Sequence, residues 1–263
     1  MRIIIERDAE AVARCAAARV AKRVQRRPHC VLGLPTGNTV VGFYRELVRW
    51  HRSEGLDFSG VATFNLDEYI GLGREHPQSF ASYMRRHLFD QVNFDPDHIH
   101  HPNGLAVDLE AECSRYEQEI RSAGGIDLQI MGIGSSGHIA FNEPGSSLAS
   151  LTRVKTLTRE TRVRNAQHFG AADEVPRLAI TMGIGTIRAA RSCELLATGS
   201  EKTVAVRDTV EGPVTAQVPS SALQLHPDVV LVLDEDAARS LSRIEYYREM
   251  EAAQRELEAS GRA

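Results

Sequence analysis

The segment MGIGSSGHIAFNEP, residues 131–144, sets His138 and Glu143 just beyond a glycine-rich turn. Imidazole titrates near neutral pH. A carboxylate beside it orients the ring and favours its protonated form, so the pair can move a proton on a small molecule. A buried histidine with satisfied hydrogen bonds is the structural alternative. A second carboxylate candidate lies in TFNLDEY, where Asp67 and Glu68 follow an apolar, β-branched run. Each can be a general base, a metal ligand or a helix cap, and the local pattern does not choose. Ser135 and Ser136 invite a Ser-His-Asp reading, but no G-x-S-x-G elbow frames them, which discounts a nucleophilic serine.

Two further loops offer anion-binding chemistry. GLPTGNT, residues 33–39, brings two glycines, two threonine hydroxyls and Asn38 between a strand and a helix. Backbone N–H groups ahead of a helix can cradle a phosphate there. The loop lacks the Gly-Lys-Ser/Thr ending of a P-loop, and an ordinary strand-to-helix turn is the competing reading. TGSEK puts Lys202 at the start of another helix, within reach of an anion. GIGTIR, residues 183–188, is ambiguous between ligand approach and close helix packing. His98, His100 and His101 in DHIHHPNG lack an H-E-x-x-H helix and a cysteine partner. They read as a polar loop, and no metal set is expected.

These residues need a scaffold. Strand-like runs at Ile3 to Ile5, Cys30 to Leu34 and Val61 to Asn65 alternate with helical patterns at Ala9 to Val24, Val40 to Arg52 and Gln78 to Leu88. Helix Leu109 to Arg121 follows, then strands Asp127 to Met131, Ala179 to Met182, Glu194 to Ala197 and Val229 to Leu233, and a terminal helix over Asp236 to Ala259. Such alternation implies an α/β fold: an open, mostly parallel, Rossmann-like sheet with helices on both faces. No linker or repeat divides residues 1–263, so one domain is expected. The loops holding residues 33–39, 65–69, 132–138 and 198–202 then converge on the carboxyl edge of the sheet, where ligands of such folds bind.

The formal net charge of −4 gives no electrostatic support to nucleic-acid or anionic-membrane binding, and the arginines at 23, 26 and 27 read as a solvated helix end. Cys15, Cys30, Cys113 and Cys193 form no C-x-x-C pair and read as small buried hydrophobes of a reducing compartment. The start, MRIIIERDAE, has too short an apolar run for a signal peptide. Nothing approaches the roughly 18 apolar residues of a membrane span. A cytoplasmic protein is expected.

Taken in order, GLPTGNT, VATFNLDEYIGL, GIGSSGHIAFNEPGSSLASLTRVKTLT, GSEK and LQLHP resemble the glucosamine-6-phosphate deaminases over nearly the whole chain. The related 6-phosphogluconolactonases share a Gly-His turn but lack FNEP. The resemblance implies conversion of D-glucosamine 6-phosphate and water to D-fructose 6-phosphate and ammonia, with no metal or organic cofactor. It implies Asp67 as the base acting between C2 and C1, His138 as the ring-opening group and Glu143 as its partner. Thr36, Gly37, Asn38 and Thr39, with Lys202, match the phosphate site.

Three positions depart from the family pattern: Ser136 stands for Asp or Asn, Gln167 for a phosphate-clamping arginine, and Asn38 for a small residue. Arg164, one turn before Gln167, is a substitute cation if that stretch is helical. Ser136 leaves the tuning of His138 mainly to Glu143. Hexameric members bind N-acetylglucosamine 6-phosphate as an effector at a subunit interface, and Ser146, Ser147, Arg153, Lys155 and Tyr246 match that site. A homo-oligomer is therefore implied. The alternatives are a phosphosugar enzyme with another substrate, such as galactosamine 6-phosphate or a phosphosugar lactone, and a sugar-phosphate sensor without turnover.

Overall fold

Short aliphatic runs bury both of their faces only as strands covered by helices on either side, and the chain alternates the two accordingly. The computed structural model describes residues 1–261, the side chain of His168 apart. In chain order the elements are β1 Arg2–Glu6, α1 Ala9–Arg26, β2 Val31–Leu34, α2 Val41–Glu54, β3 Ala62–Asn65, β4 Asp67–Tyr69, α3 Phe80–His87, β5 Ile99–His100 and α4 Leu109–Ser122. There follow β6 Leu128–Gly132, β7 Arg153–Thr156, α5 Arg159–Phe169, β8 Leu178–Thr181, α6 Ile184–Arg188, β9 Cys193–Ala197, α7 Thr203–Val210, β10 Val229–Asp234, α8 Glu235–Ala238 and α9 Ile244–Ala259.

Seven strands form one parallel sheet in the order β1-β10-β9-β6-β2-β3-β5. The chain winds outward from β2 through β3 to β5, returns to β6 and winds the other way through β9 to β10. Strand order therefore reverses between β2 and β6, the position where open α/β sheets bind ligands. The loops leaving those two strands are the glycine-rich segments 35–40 and 133–138.

The period-2 alternation of the strands sorts the core onto two faces. Val230 and Val232 pack with Leu32, Leu34, Val20, Phe43 and Leu47 under α1 and α2. Val229, Leu231 and Leu233 pack on the other side with Met131, Tyr116, Ile187 and Val206 from α4, α6 and α7. Asp8 caps α1, its carboxylate accepting from the Ala11 amide at 2.8 Å.

Two expectations change. The run at 179–182 is β8, which joins an antiparallel sheet β4-β8-β7 rather than the parallel one. The expected single terminal helix divides into α8 and α9. Leu241 is buried between them, and the Ser242 and Arg243 amides donate to Glu211. Tertiary contacts there outweigh the helical propensity of the tail. His100 lies on edge strand β5, stacked on Phe64, and His101 is buried. Among the described residues no group of three or more His, Cys, Asp or Glu is arranged to hold a metal, and no helix is long and apolar enough to cross a membrane.

Candidate active site

Antiparallel pairing fixes the two adjacent carboxylates on opposite sides of β4. Asp67 pairs with Thr181 and Glu68 with Ile180, so the side chains must point apart. Glu68 turns to the start of α3 and accepts the amides of Phe80 and Ala81, each at 3.0 Å, and of Tyr69 at 2.9 Å. It is a helix-capping carboxylate. Asp67 turns the other way, into a cavity of about 590 Å³ that also holds His138, the 35–40 loop and Lys202. Asp67 is only 7% exposed. Burial, and then the charge of Glu68, push its carboxyl up to about 8.

His138 owes its position to two glycines. A side chain on Gly134 would collide with the imidazole, whose ring atoms lie 1.9 to 2.3 Å from where that Cβ would be. Gly137 takes φ +77, a conformation costly for residues with a side chain, and lets the chain turn back under the ring. Its amide donates to Gly134 O at 3.0 Å, and the Gly134 amide donates to His138 O at 2.9 Å. Two residues on, Ala140 holds φ +50, the one non-glycine positive φ among the described residues, and it lines the same cavity. Such strain persists only where neighbours enforce it. Here the Asn142 side chain enforces it, donating to Ile139 O at 3.0 Å and Met182 O at 2.9 Å.

Behind the imidazole, Nδ1 lies 2.8 Å from Ser136 Oγ and 3.5 Å from Glu143 Oε2. A carboxylate only accepts, so Glu143 favours hydrogen on Nδ1, with Ser136 as acceptor and Nε2 left for a ligand. Neither Ser136 nor Glu143 lines the cavity. Both act through His138. The expected rise in the histidine pKa is not found. Burial lowers it, Glu143 opposes this, and Arg164 and Lys202 lower it further. The sequence reading weighed the carboxylate and left out desolvation.

The 35–40 loop brings Thr36, Gly37, Asn38 and Thr39 to the cavity. Tyr83 Oη donates to Gly37 O at 2.8 Å, and Tyr44 Oη donates to Pro35 O, so two tyrosines brace the loop ahead of α2. Lys202 ends a short 3-10 turn, Ser200–Lys202, whose entry is held by the Gly199 amide on the Asp234 carboxylate at 2.9 Å. Burial lowers the Lys202 pKa. The 159–169 stretch is helical, and α5 presents Arg164, Asn165 and Gln167 to the cavity. The Arg164 guanidinium reaches Ser135 Oγ at 3.0 Å and Glu160 at 2.8 Å.

Sequence reasoning missed Tyr83 and Arg86, which line the cavity from α3, and Asn165, which donates to Tyr69 Oη at 2.8 Å. The i, i+3 spacing of Tyr83 and Arg86 on one helix face was the available signal.

The five residues matched to the effector site are not gathered by one chain. Ser146 is buried and Ser147 exposed in the loop after Glu143, and Arg153 and Lys155 share one face of β7. Tyr246 stands 53% exposed on α9, which packs on edge strand β1.

Comparison with known proteins matches residues 6–231 to the family of glucosamine-6-phosphate isomerases and 6-phosphogluconolactonases. A glucosamine-6-phosphate deaminase of Hahella chejuensis (strain KCTC 2396) is 51% identical over 248 residues, 94% of this chain and 95% of that protein. One of Thermoanaerobacter pseudethanolicus (strain ATCC 33223 / 39E) is 48% identical over 238 residues, 90% of this chain and 94% of that protein. The solved structure of a monomeric glucosamine-6-phosphate deaminase superposes with a TM-score of 0.89 at 44% identity, covering 91% of this chain and 99% of that one. A match of this extent, on a chain whose sheet reversal carries the glycine-rich histidine turn, places the protein in the glucosamine-6-phosphate isomerase/6-phosphogluconolactonase family.

Proposed function

We propose that the chain deaminates and isomerises D-glucosamine 6-phosphate, giving D-fructose 6-phosphate and ammonia. The observation that carries this reading is one shared cavity of about 590 Å³, into which Asp67, His138, the 36–39 loop and Lys202 all open. In this mechanism the phosphate sits on the Thr36–Thr39 backbone and hydroxyls, with Lys202 and Arg164 supplying charge. His138 Nε2, neutral because burial holds its pKa down, takes the anomeric hydroxyl proton and returns it to the ring oxygen, which opens the pyranose. Asp67 then removes the C2 proton of the open-chain aldose and delivers it to C1. Water adds to the resulting C2 imine and expels ammonia.

The state of Asp67 favours an amino sugar over a lactone. A carboxyl pushed up to about 8 is largely protonated at neutral pH. A substrate ammonium at C2 supplies the opposite charge that returns it to the ionised form. A phosphosugar lactone brings no such cation.

The test is direct. Purified protein given D-glucosamine 6-phosphate should release ammonia and fructose 6-phosphate in equal amounts. Folded protein that releases none at millimolar substrate, or that turns over 6-phosphogluconolactone faster, rejects the reading. We extend the proposal to the cytosol, where phosphorylated sugars are retained, and to a homo-oligomer. An effector pocket made from Ser146, Ser147, Arg153, Lys155 and Tyr246 requires a second copy of the chain. Sedimentation with and without N-acetylglucosamine 6-phosphate tests it: a monomer unaffected by this compound removes the effector site.

A further inference from the structure

A larger cleft, about 970 Å³, opens between α1 and α9 over β1, β10 and β9. Arg2, Cys193 and Leu128, the first residues of β1, β9 and β6, line it. It therefore lies toward the amino ends of the strands, opposite the edge that carries Asp67 and His138. Nine arginines and lysines and five carboxylates line it, although the chain as a whole carries −4. On the α9 side the charges are matched: Arg2 and Arg255 pair with Glu251, Glu258 and Glu6. On the α1 side, Lys22, Arg23 and Arg26 have no ion pair among the described residues, and Arg23 donates only to Ser192 Oγ at 2.8 Å. Cations in a last helical turn also complement the helix dipole, so this strip alone does not define a site.

The second observation is at the bottom of the cleft. Glu194, 1% exposed, gives one carboxylate oxygen to Arg19 at 2.7 Å, and its Oε1 is buried with no partner. Ionised, that oxygen lacks a donor; protonated, it lacks an acceptor. Burial of such a group is costly unless something in the cleft completes it. Between Glu194 and the cationic rim the wall is apolar, formed by Ala11, Cys15 and Ala18 on one face of α1, with Ile4 and Val230 opposite. Arg19, which marks the depth of Glu194, and Arg26 at the rim are about 10 Å apart along the helix.

We propose that this cleft binds a nucleoside diphosphate or triphosphate. The base lies between α1 and the sheet, an N–H of the base donates to Glu194 Oε1, and the polyphosphate runs along Lys22, Arg23 and Arg26. A deep hydrogen-bond acceptor, an apolar slot and a cationic rim, in that order and spacing, match the three parts of such a ligand. A single sugar phosphate is too short to span them. This assignment is independent of the proposed deaminase reaction, since the two sites lie at opposite ends of the sheet.

The experiment is calorimetric titration of the full chain with ADP, adenosine and inorganic pyrophosphate. Saturable one-to-one ADP binding is expected, weakened by salt. Lys22→Ala/Arg26→Ala should lose about tenfold or more in affinity, with ammonia release from glucosamine 6-phosphate unchanged. Glu194→Gln should weaken ADP and leave pyrophosphate alone. Lys202→Ala should leave ADP binding intact, which separates this cleft from the phosphate loop. No saturable binding at millimolar ADP overturns the proposal. So does pyrophosphate binding as tightly as ADP, a parent-like affinity in the double variant, or displacement of ADP by glucosamine 6-phosphate.

Discussion

Thr161, in the first turn of α5, donates its hydroxyl to Glu143 Oε1, while Oε2 of the same carboxylate lies 3.5 Å from His138 Nδ1. Thr158, the cap of α5, donates in turn to Thr161 Oγ1 at 3.0 Å. The helix that carries Arg164 and Gln167 to the cavity is thus fastened to the group that orients the catalytic imidazole. Thr161→Val removes the donor and leaves a largely buried carboxylate oxygen unmatched, at a cost of about 1–3 kcal/mol. We expect kcat/KM for ammonia release to fall about tenfold and its pH profile to move, because Glu143 is freed to shift toward Nδ1 and raise the histidine pKa. Thr161→Ser should restore both. A valine variant with a lower melting temperature but an unshifted profile would reduce Thr161 to a structural tie.

Asp67 and Glu68 are sequence neighbours with separable roles. Asp67→Asn keeps the shape of the side chain and removes the proposed base, so kcat should fall by about 10²–10⁴ with KM little changed. Glu68→Ala leaves the Phe80 and Ala81 amides at the start of α3 unmatched. It should cost about 2–4 kcal/mol, read as a loss of roughly 5–15 °C in melting temperature. Steady-state kinetics and thermal melts on both variants check this. If Glu68→Ala melts like the parent and Asp67→Asn turns over normally, the assignment of roles is reversed.

The raised pKa of Asp67 also fixes a sign for stability. Its carboxyl titrates near the ordinary value of 3.8 when unfolded and at about 8 when folded. Between those values the native state holds more protons than the unfolded one, so this group's contribution to stability falls as pH rises and levels off above about 8. Asp67→Asn, which never ionises, should therefore match the parent near pH 4 and melt at least about 3 °C higher at pH 8. In the parent's kinetics, the acidic limb of kcat/KM should lie well above ordinary carboxylate values, toward 8, and that of kcat should lie lower, because bound ammonium favours the carboxylate. Coincident limbs would show that the substrate does not bring its cation to Asp67.

Much of this arrangement was legible in the residues. Val230 and Val232 against Leu231 and Leu233 announce a strand buried on both faces, and Gly134 with Gly137 announce a backbone that something approaches closely. Period-2 alternation could also have separated Asp67 from Glu68, had the short strand β4 been recognised. Other features depend on distant contacts. Nothing local to 179–182 tells whether an apolar run joins the parallel sheet or pairs antiparallel with β4. The break after α8 depends on Glu211, more than 30 residues away. The depressed histidine pKa depends on how deeply 138 is buried and on cations from α5 and the Lys202 turn, which spacing within one motif cannot report.

Ser136 lies closer to the imidazole than Glu143 does, 2.8 against 3.5 Å from Nδ1. Ser136→Asp would put a full negative charge at the nearer position and raise the His138 pKa, by about one unit or more. Ring opening then has a stronger base but a smaller neutral fraction below that pKa. The limb of kcat governed by His138 should move up by the same amount, and nuclear magnetic resonance titration of the imidazole would read the shift directly. An unmoved resonance would mean that position 136 does not act on the ring.

The phosphate anchor provides the last test. Where the family resemblance calls for an arginine this chain has Gln167, while Arg164, three residues earlier on the same helix, lines the cavity beside Ser135. A charge-assisted hydrogen bond contributes about 1.5–3 kcal/mol. If Arg164 holds the phosphate in the substrate and the transition state alike, Arg164→Ala should raise KM at least about tenfold with kcat nearly unchanged. Gln167→Arg in that background should recover most of the loss, because the new guanidinium enters the same cavity from the same helix. Arg164→Ala with parental KM would locate the phosphate elsewhere, at Arg86 or at Lys202 alone, and the second substitution would then have nothing to rescue.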